Sequence, residues 1–121
     1  MKNIWSLPDP LPAEECFEDL LLTPALRVER IISAGQVTPP GLWCDQVCDE
    51  WVLLLQGKAT VEYESGGLQT LSAGDYLLIL AHQRHRVTFT SKEPPCLWLA
   101  IHGQLSREQT AASAAIHSTR Q

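Results

Sequence analysis

Apolar positions in this chain fall first at helical spacing and then, from about residue 26, at strand spacing. In the segment 12–22, PAEECFEDLLL, the residues Ala13, Cys16, Phe17, Leu20 and Leu21 stand three and four apart with acids between them. Pro12 suits a first helical turn, and Glu14 and Glu15 complement its dipole. A short amphipathic helix ending before Pro24 is therefore predicted. The next segment, LRVERII, alternates Leu26 and Val28 against Arg27 and Glu29 and predicts a strand. QVTPPG breaks the chain with two prolines and a glycine. From there to His102, short apolar runs alternate with turn residues: EWVLLLQ, ATVEYE, LQTL, YLLIL, HRVTFT and CLWLAIH. About seven or eight strands at this spacing predict an all-β sandwich or barrel. The stretch from Ser106 onward is rich in Ala and Ser, predicts a frayed helix or disorder, and suggests no chemistry.

Strand parity then selects inward side chains. In ATVEYE, Ala59, Val61 and Tyr63 share one face, with Thr60, Glu62 and Glu64 on the other. In HRVTFT, His85, Val87 and Phe89 share a face, so His85 is expected inside with the two apolar residues. Both faces of EWVLLLQ are apolar, so parity leaves its interior face open. If Glu50 lies with Val52 and Leu54 it faces inward, and Cys44 and Gln46 share its side if the chain stays extended. An inward carboxylate or imidazole is costly unless paired, hydrogen-bonded or bound to a metal. Each also has a plain structural explanation, since a backbone carbonyl satisfies a core histidine and a strand end leaves Glu50 in water. His82 reads as a rim residue or a ligand, and Arg84 as a solvated loop cation or a group that orients a substrate.

Composition narrows the classes. At 121 residues one domain is expected. A net charge of −5 without any run of Lys or Arg provides no basic face for nucleic acid. The apolar runs, such as Trp51 to Leu55 and Leu77 to Ala81, fall far short of the roughly 20 residues of a membrane-spanning helix. MKNIWSLPDP lacks the apolar core of a signal peptide, so a cytoplasmic protein with reduced thiols is expected. Cys16 and Cys96 then read as small packed hydrophobes. Cys44 and Cys48 with His82 and His85 would supply a Cys2His2 zinc set, but the 33 residues between the pairs do not match a zinc finger.

Two stretches, GLWCDQVCDEWVLLLQG and GDYLLILAHQRHRVTF, resemble the paired motifs of the cupin superfamily. In the first motif a His-x-His pair precedes a Glu, and six residues separate that Glu from a Gly. Here Glu50 and Gly57 keep that spacing, with Cys44 and Gln46 where the histidines stand. In the second, counting from Gly74 puts Leu80 at the usual proline, His82 at the second glycine and His85 at the histidine. The resemblance covers roughly residues 35–102 and implies a double-stranded β-helix, a jelly-roll-like barrel, over 25–103. An arm with the short helix would precede it at 1–24, and a flexible or partly helical tail would follow at 104–121.

The resemblance also implies a divalent ion inside the barrel: Zn, Fe, Mn or Ni. Glu50 and His85 are retained, and a further ligand would come from Gln46, Asp45, Cys44, His82 or His102. Glu50, His85, Gln46 and His82 are thus the expected ligands. Trp43, Cys44, Asp45, Arg84 and His102 are the expected pocket residues. A thiolate at Cys44 would favour zinc or another soft-tolerant ion. The implied activity is dioxygenase- or isomerase-type chemistry on a small molecule. The alternatives are a non-catalytic module that binds or senses a small ligand or metal through a degenerate site, and a purely structural dimer unit. A homodimer is expected in any case, because exposed sheet edges invite pairing.

Overall fold

The computed structural model describes residues 2–106, and these contain eight strands and no helix. In chain order they are β1 (Cys16–Leu22), β2 (Leu26–Ser33), β3 (Asp49–Gln56), β4 (Lys58–Tyr63), β5 (Leu68–Ser72), β6 (Tyr76–Ile79), β7 (His85–Thr90) and β8 (Cys96–Gly103). Five form one sheet in the order β1-β2-β8-β3-β6, and three form the other in the order β5-β4-β7, with all neighbours antiparallel. The expected all-β barrel is therefore present. The tail from residue 107 lies outside the described residues.

Alternation of side chains builds the core between the sheets. Val52 and Leu54 from β3, Ala59 and Val61 from β4, Leu71 from β5, and Cys96, Trp98 and Ala100 from β8 form one buried cluster. Cys96 is fully buried, as expected of a small hydrophobe. Glu50 lies on this inner face with Val52 and Leu54, and all three are buried. Ala59, Val61 and Tyr63 likewise face in.

Two expectations are corrected. Residues 16–22 form edge strand β1 rather than a helix. A helix that short is marginal by itself, whereas the exposed edge of β2 provides a full ladder of backbone partners. The register slips between Asp19 and Leu21, and that bulge is how helix-like spacing fits onto a strand. Phe89 does not face inward with His85 and Val87. A second bulge sets Val87 opposite Val61 but Phe89 opposite Thr60, so parity flips between them. Phe89 is consequently half exposed, and Thr90 is buried with its hydroxyl donating to the Gln36 carbonyl at 2.7 Å.

The outer face of the larger sheet is also apolar, which is unusual for an antiparallel sheet. Register aligns Val28, Ile101, Trp51 and Leu78 across four strands, and Leu99, Leu53 and Tyr76 in the next row. Trp51 and Tyr76 stack at 5.6 Å between ring centroids, and Leu78 and Tyr76 are exposed. Part of this side is covered by the N-terminal arm, held where Arg30 donates to the carbonyls of Ile4 and Ser6 and pairs with Glu18.

Gly57, between β3 and β4, has φ +93°, and a Cβ there would stand 2.8 Å from Ser91 Oγ and 3.0 Å from the Cys96 backbone. Gly66, at φ +106°, faces open space. Both positions strain an L-residue, at about 1–3 kcal/mol each, but only Gly57 adds collision with the core wall. Urea unfolding should therefore show Gly57→Ala costing clearly more stability than Gly66→Ala. Equal costs would mean that backbone conformation alone requires the glycine.

Candidate functional site

The two sheets enclose a cavity of about 320 Å³, at the low end for small-molecule pockets. Its walls are mostly apolar, from Phe17, Ile31, Val52, Val61, Ile79, Val87 and Trp98, among others. The polar groups facing it include Glu15, Cys44, Gln46, Glu50 and His85. Backbone bonds bring the two motif segments together. Cys44 and His85 form an isolated antiparallel bridge, exchanging N–H···O bonds of 2.7 and 3.1 Å. The His82 amide donates to the Gln46 carbonyl at 2.8 Å. Strand β3 then carries Glu50 inward beside them.

Three of these polar groups present acceptor atoms without hydrogen-bond partners. His85 is 5% exposed, and its Nδ1 lies 2.9 Å from the Gln83 carbonyl. A carbonyl only accepts, so Nδ1 carries a proton, and in the neutral ring Nε2 is then the nitrogen with the lone pair. Gln46 Oε1 is buried without a partner. Glu50 is 7% exposed and makes no hydrogen bond among the described residues; its nearest opposite group is His102 Nε2 at 3.7 Å.

Glu50 belongs at the same time to a second cluster. Register places it opposite His102 across β3 and β8, and places Glu29 of β2 opposite the neighbouring Ala100. His102 Nε2 lies 2.7 Å from Glu29 Oε1, and one ligand atom from each of Glu29, Glu50 and His102 lies within 4.8 Å of the others. Both carboxylates are buried. Two carboxylates beside one imidazole leave negative charge in the barrel wall that a divalent cation would offset. Hard oxygens with one imidazole suit Mn, Fe or Zn. The donor set fits a divalent ion.

Burial raises the Cys44 thiol above its ordinary range, the Thr38 contact opposes this, and Glu50 and Glu15 add to it. Cys44 is thus a thiol at neutral pH. Burial likewise raises the Glu15 carboxyl, opposed by its hydrogen bond from Ser33 and assisted by Glu29. Asp49, next to Glu50 but on the opposite face, has a structural role. The Ser106 amide above all, with the Ala81 amide, the Ser106 hydroxyl and the Leu105 amide, holds its carboxyl well below the usual carboxylate range.

The remaining expected residues lie outside the cavity lining. His82 has φ 62°, is exposed, and places Nδ1 2.8 Å from Asp45 Oδ1 at the surface. Trp43 lies under Arg86, 5.8 Å from ring centroid to guanidinium. Arg84 is 3.5 Å from Glu64, both half exposed. His102 and Cys48 line a separate outer cleft with Arg27, Asp45 and Gln46. Cys44, Cys48, His82 and His85 do not gather into a four-ligand set among the described residues. Sequence reasoning missed Glu29 as a member of the site, because the alternation of LRVERII does not show which set faces in. Glu15 was missed because its segment read as a helix.

A jelly-roll-like barrel of two antiparallel sheets, with carboxylates and imidazoles on its inner face, defines a small-ligand barrel with the makings of a metal site. The chain belongs to the cupin family: residues 30–102 match the family described as Cupin domain. A solved structure from Ralstonia eutropha JMP134, named a "putative mannose-6-phosphate isomerase", shares 40% identity over 86% of this chain and 97% of its own, with a TM-score of 0.80. A cupin superfamily protein from Desulfitobacterium hafniense DCB-2 shares 17% identity over 85% of this chain and 99% of its own, with a TM-score of 0.64. KdgF from Halomonas sp. shares 20% over 77% and 83%, with a TM-score of 0.62; at such identities the likeness shows the fold alone. No curated protein matches the chain.

The depressed Asp49 carboxyl generates a pH prediction. Its folded value lies below its unfolded value near 4, so its stabilisation is complete above that range and is lost as pH falls. Asp49→Asn should unfold at lower urea concentration than the wild type at pH 7. The gap should narrow as pH falls from about 5 toward 2. A gap independent of pH would show that Asp49 acts by shape and not by charge.

Proposed function

We propose that this cupin holds a divalent ion at Glu29, Glu50 and His102 and performs isomerase-type chemistry on a small molecule in the adjoining cavity. The observation that carries the reading is the buried cluster of two carboxylates and an imidazole, sharing Glu50 with the cavity. The name of the Ralstonia protein supports isomerisation over oxygenation. When bound, the ion supplies Lewis acidity, polarising a carbonyl or hydroxyl oxygen. The chain's own residues supply the rest. The apolar walls exclude water and hold the substrate body. His85, its ring oriented by the Gln83 carbonyl, takes a proton from a substrate carbon at Nε2 and returns it to the adjacent carbon. The hydroxyl proton passes to the former carbonyl oxygen in the same exchange, so hydrogen moves once between the neighbouring carbons and once between their oxygens, and no co-reactant is needed.

A second placement of the ion, at Glu50, His85 and Gln46, is favoured by the unpartnered Gln46 Oε1 and the free His85 Nε2. Elemental analysis of untagged protein separates the readings. With the ion at Glu29, Glu50 and His102, His102→Ala and Glu29→Ala should lower metal affinity on the order of 100-fold. His85→Ala should keep the metal but lose about 100-fold or more of the exchange of substrate carbon-bound hydrogen with D2O, measured on neutral hydroxycarbonyls. Loss of metal in His85→Ala but not in His102→Ala would establish the second placement. Folded protein that takes up no metal in either case would support a non-catalytic binding module.

We infer further that the working unit is a homodimer joined through the apolar outer face of the larger sheet, where Trp51, Leu78 and Tyr76 form a patch without a partner among the described residues. Light scattering should give about twice the 13.4 kDa chain mass. Trp51→Glu should shift the mass toward the single chain. A wild-type mass of one chain at tens of micromolar would overturn the inference.

A further inference from the structure

The electrostatics of the cavity restrict its ligand more sharply than its shape does. Among the described residues no Lys or Arg lines it, while two carboxylates, Glu15 and Glu50, do. Arg86 is the cation bonded to the cavity rim, but it donates to the Thr38 carbonyl at 3.3 Å and lies over Trp43, and does not line the cavity. A divalent ion at Glu29 and Glu50 only cancels those two charges, and Glu15 remains. Phosphate sites use Arg, Lys or a helix N-terminus, and the described residues have no helix. A phosphate dianion would face a carboxylate in a low-dielectric wall with nothing to compensate it.

A buried acceptor calls for the opposite chemistry. Gln46 Oε1 is buried without a hydrogen-bond partner among the described residues, and an unpaired buried acceptor is costly until a donor arrives. His85, on the same cavity wall, shows a hydrogen bond only at Nδ1 and leaves Nε2 open to the cavity. We propose that the cavity takes a small molecule with an apolar body and a hydrogen-bond-donor head, and excludes phosphorylated compounds. The head meets His85 and Gln46, and the body packs against Val61, Val87 and Trp98. This deepens the isomerase reading above and rests on its placement of the ion at Glu29, Glu50 and His102, which leaves those two acceptors free.

The test is an NMR titration of full-length, metal-loaded protein with benzyl alcohol, benzylamine and mannose 6-phosphate, following the Val61, Val87 and Trp98 amides. Benzyl alcohol or benzylamine should saturate these shifts at about millimolar concentration, the weak end of specific affinity, and mannose 6-phosphate should leave them unmoved. Gln46→Leu should weaken the bound probe about tenfold. Weakening of benzylamine alone in Glu15→Gln would identify an ammonium head, and preference for benzyl alcohol a hydroxyl head. Saturation by mannose 6-phosphate, binding of none of the three, or unchanged affinity in Gln46→Leu would overturn the proposal. Elemental analysis of the same sample keeps the readings apart. Metal present with mannose 6-phosphate bound refutes this inference alone, and metal absent with benzyl alcohol bound refutes the metal reading alone.

Discussion

The register of β8 against both β2 and β3 is the constraint on which the site depends. Ala100 opposes Glu29 on one side and Val52 on the other, and His102 opposes Glu50. A slip of one residue in either pairing would turn every inward side chain outward. The buried apolar run Cys96, Trp98 and Ala100 prevents that slip, since their exposure would cost the centre of the core. The costly polar cluster at the end of the strand is thus held in place by inexpensive apolar packing along its length.

Adjacent residues on β3 divide the work of the barrel's end. Asp49 points outward and is saturated by four donors that tie the 81 loop and the exit of β8 to the sheet. Glu50 points inward and is left without a hydrogen bond among the described residues. The same chemical group is held in the frame where the chain supplies its donors and left open to a ligand where it does not.

The cavity combines a large apolar wall with a few acceptors, a lining in which burial would supply a ligand's affinity and charge and hydrogen bonding its selectivity. A relative's name does not carry substrate choice across, because the fold accommodates many chemistries and the lining residues choose among them. The doubly apolar strand β3 serves both sides of the sheet. Its inner residues build the cavity, and its outer residues, the part-buried Trp51 and Leu53, pair with the exposed Leu78 and Tyr76 on the outer face.

How much of this was legible in the sequence follows from the range of each interaction. Alternation and glycine-marked turns determined by themselves the all-β class, seven of the eight strands and the inward direction of His85, while the Glu50–Gly57 and Gly74–His85 spacings carried the resemblance to the cupin family. These are local signals, set by the two-residue period of a strand and by backbone positions that only glycine takes without strain. β1 was misread because a strand at an edge is formed by its partner and not by its own periodicity. Phe89 was misplaced because a bulge inverts parity without a residue that announces it. Glu29 and Glu15 joined the site only through pairing across strands far apart in the chain. Tertiary structure alone decided which carboxylates meet His102, since burial and register are properties of the whole sheet and no single segment encodes them.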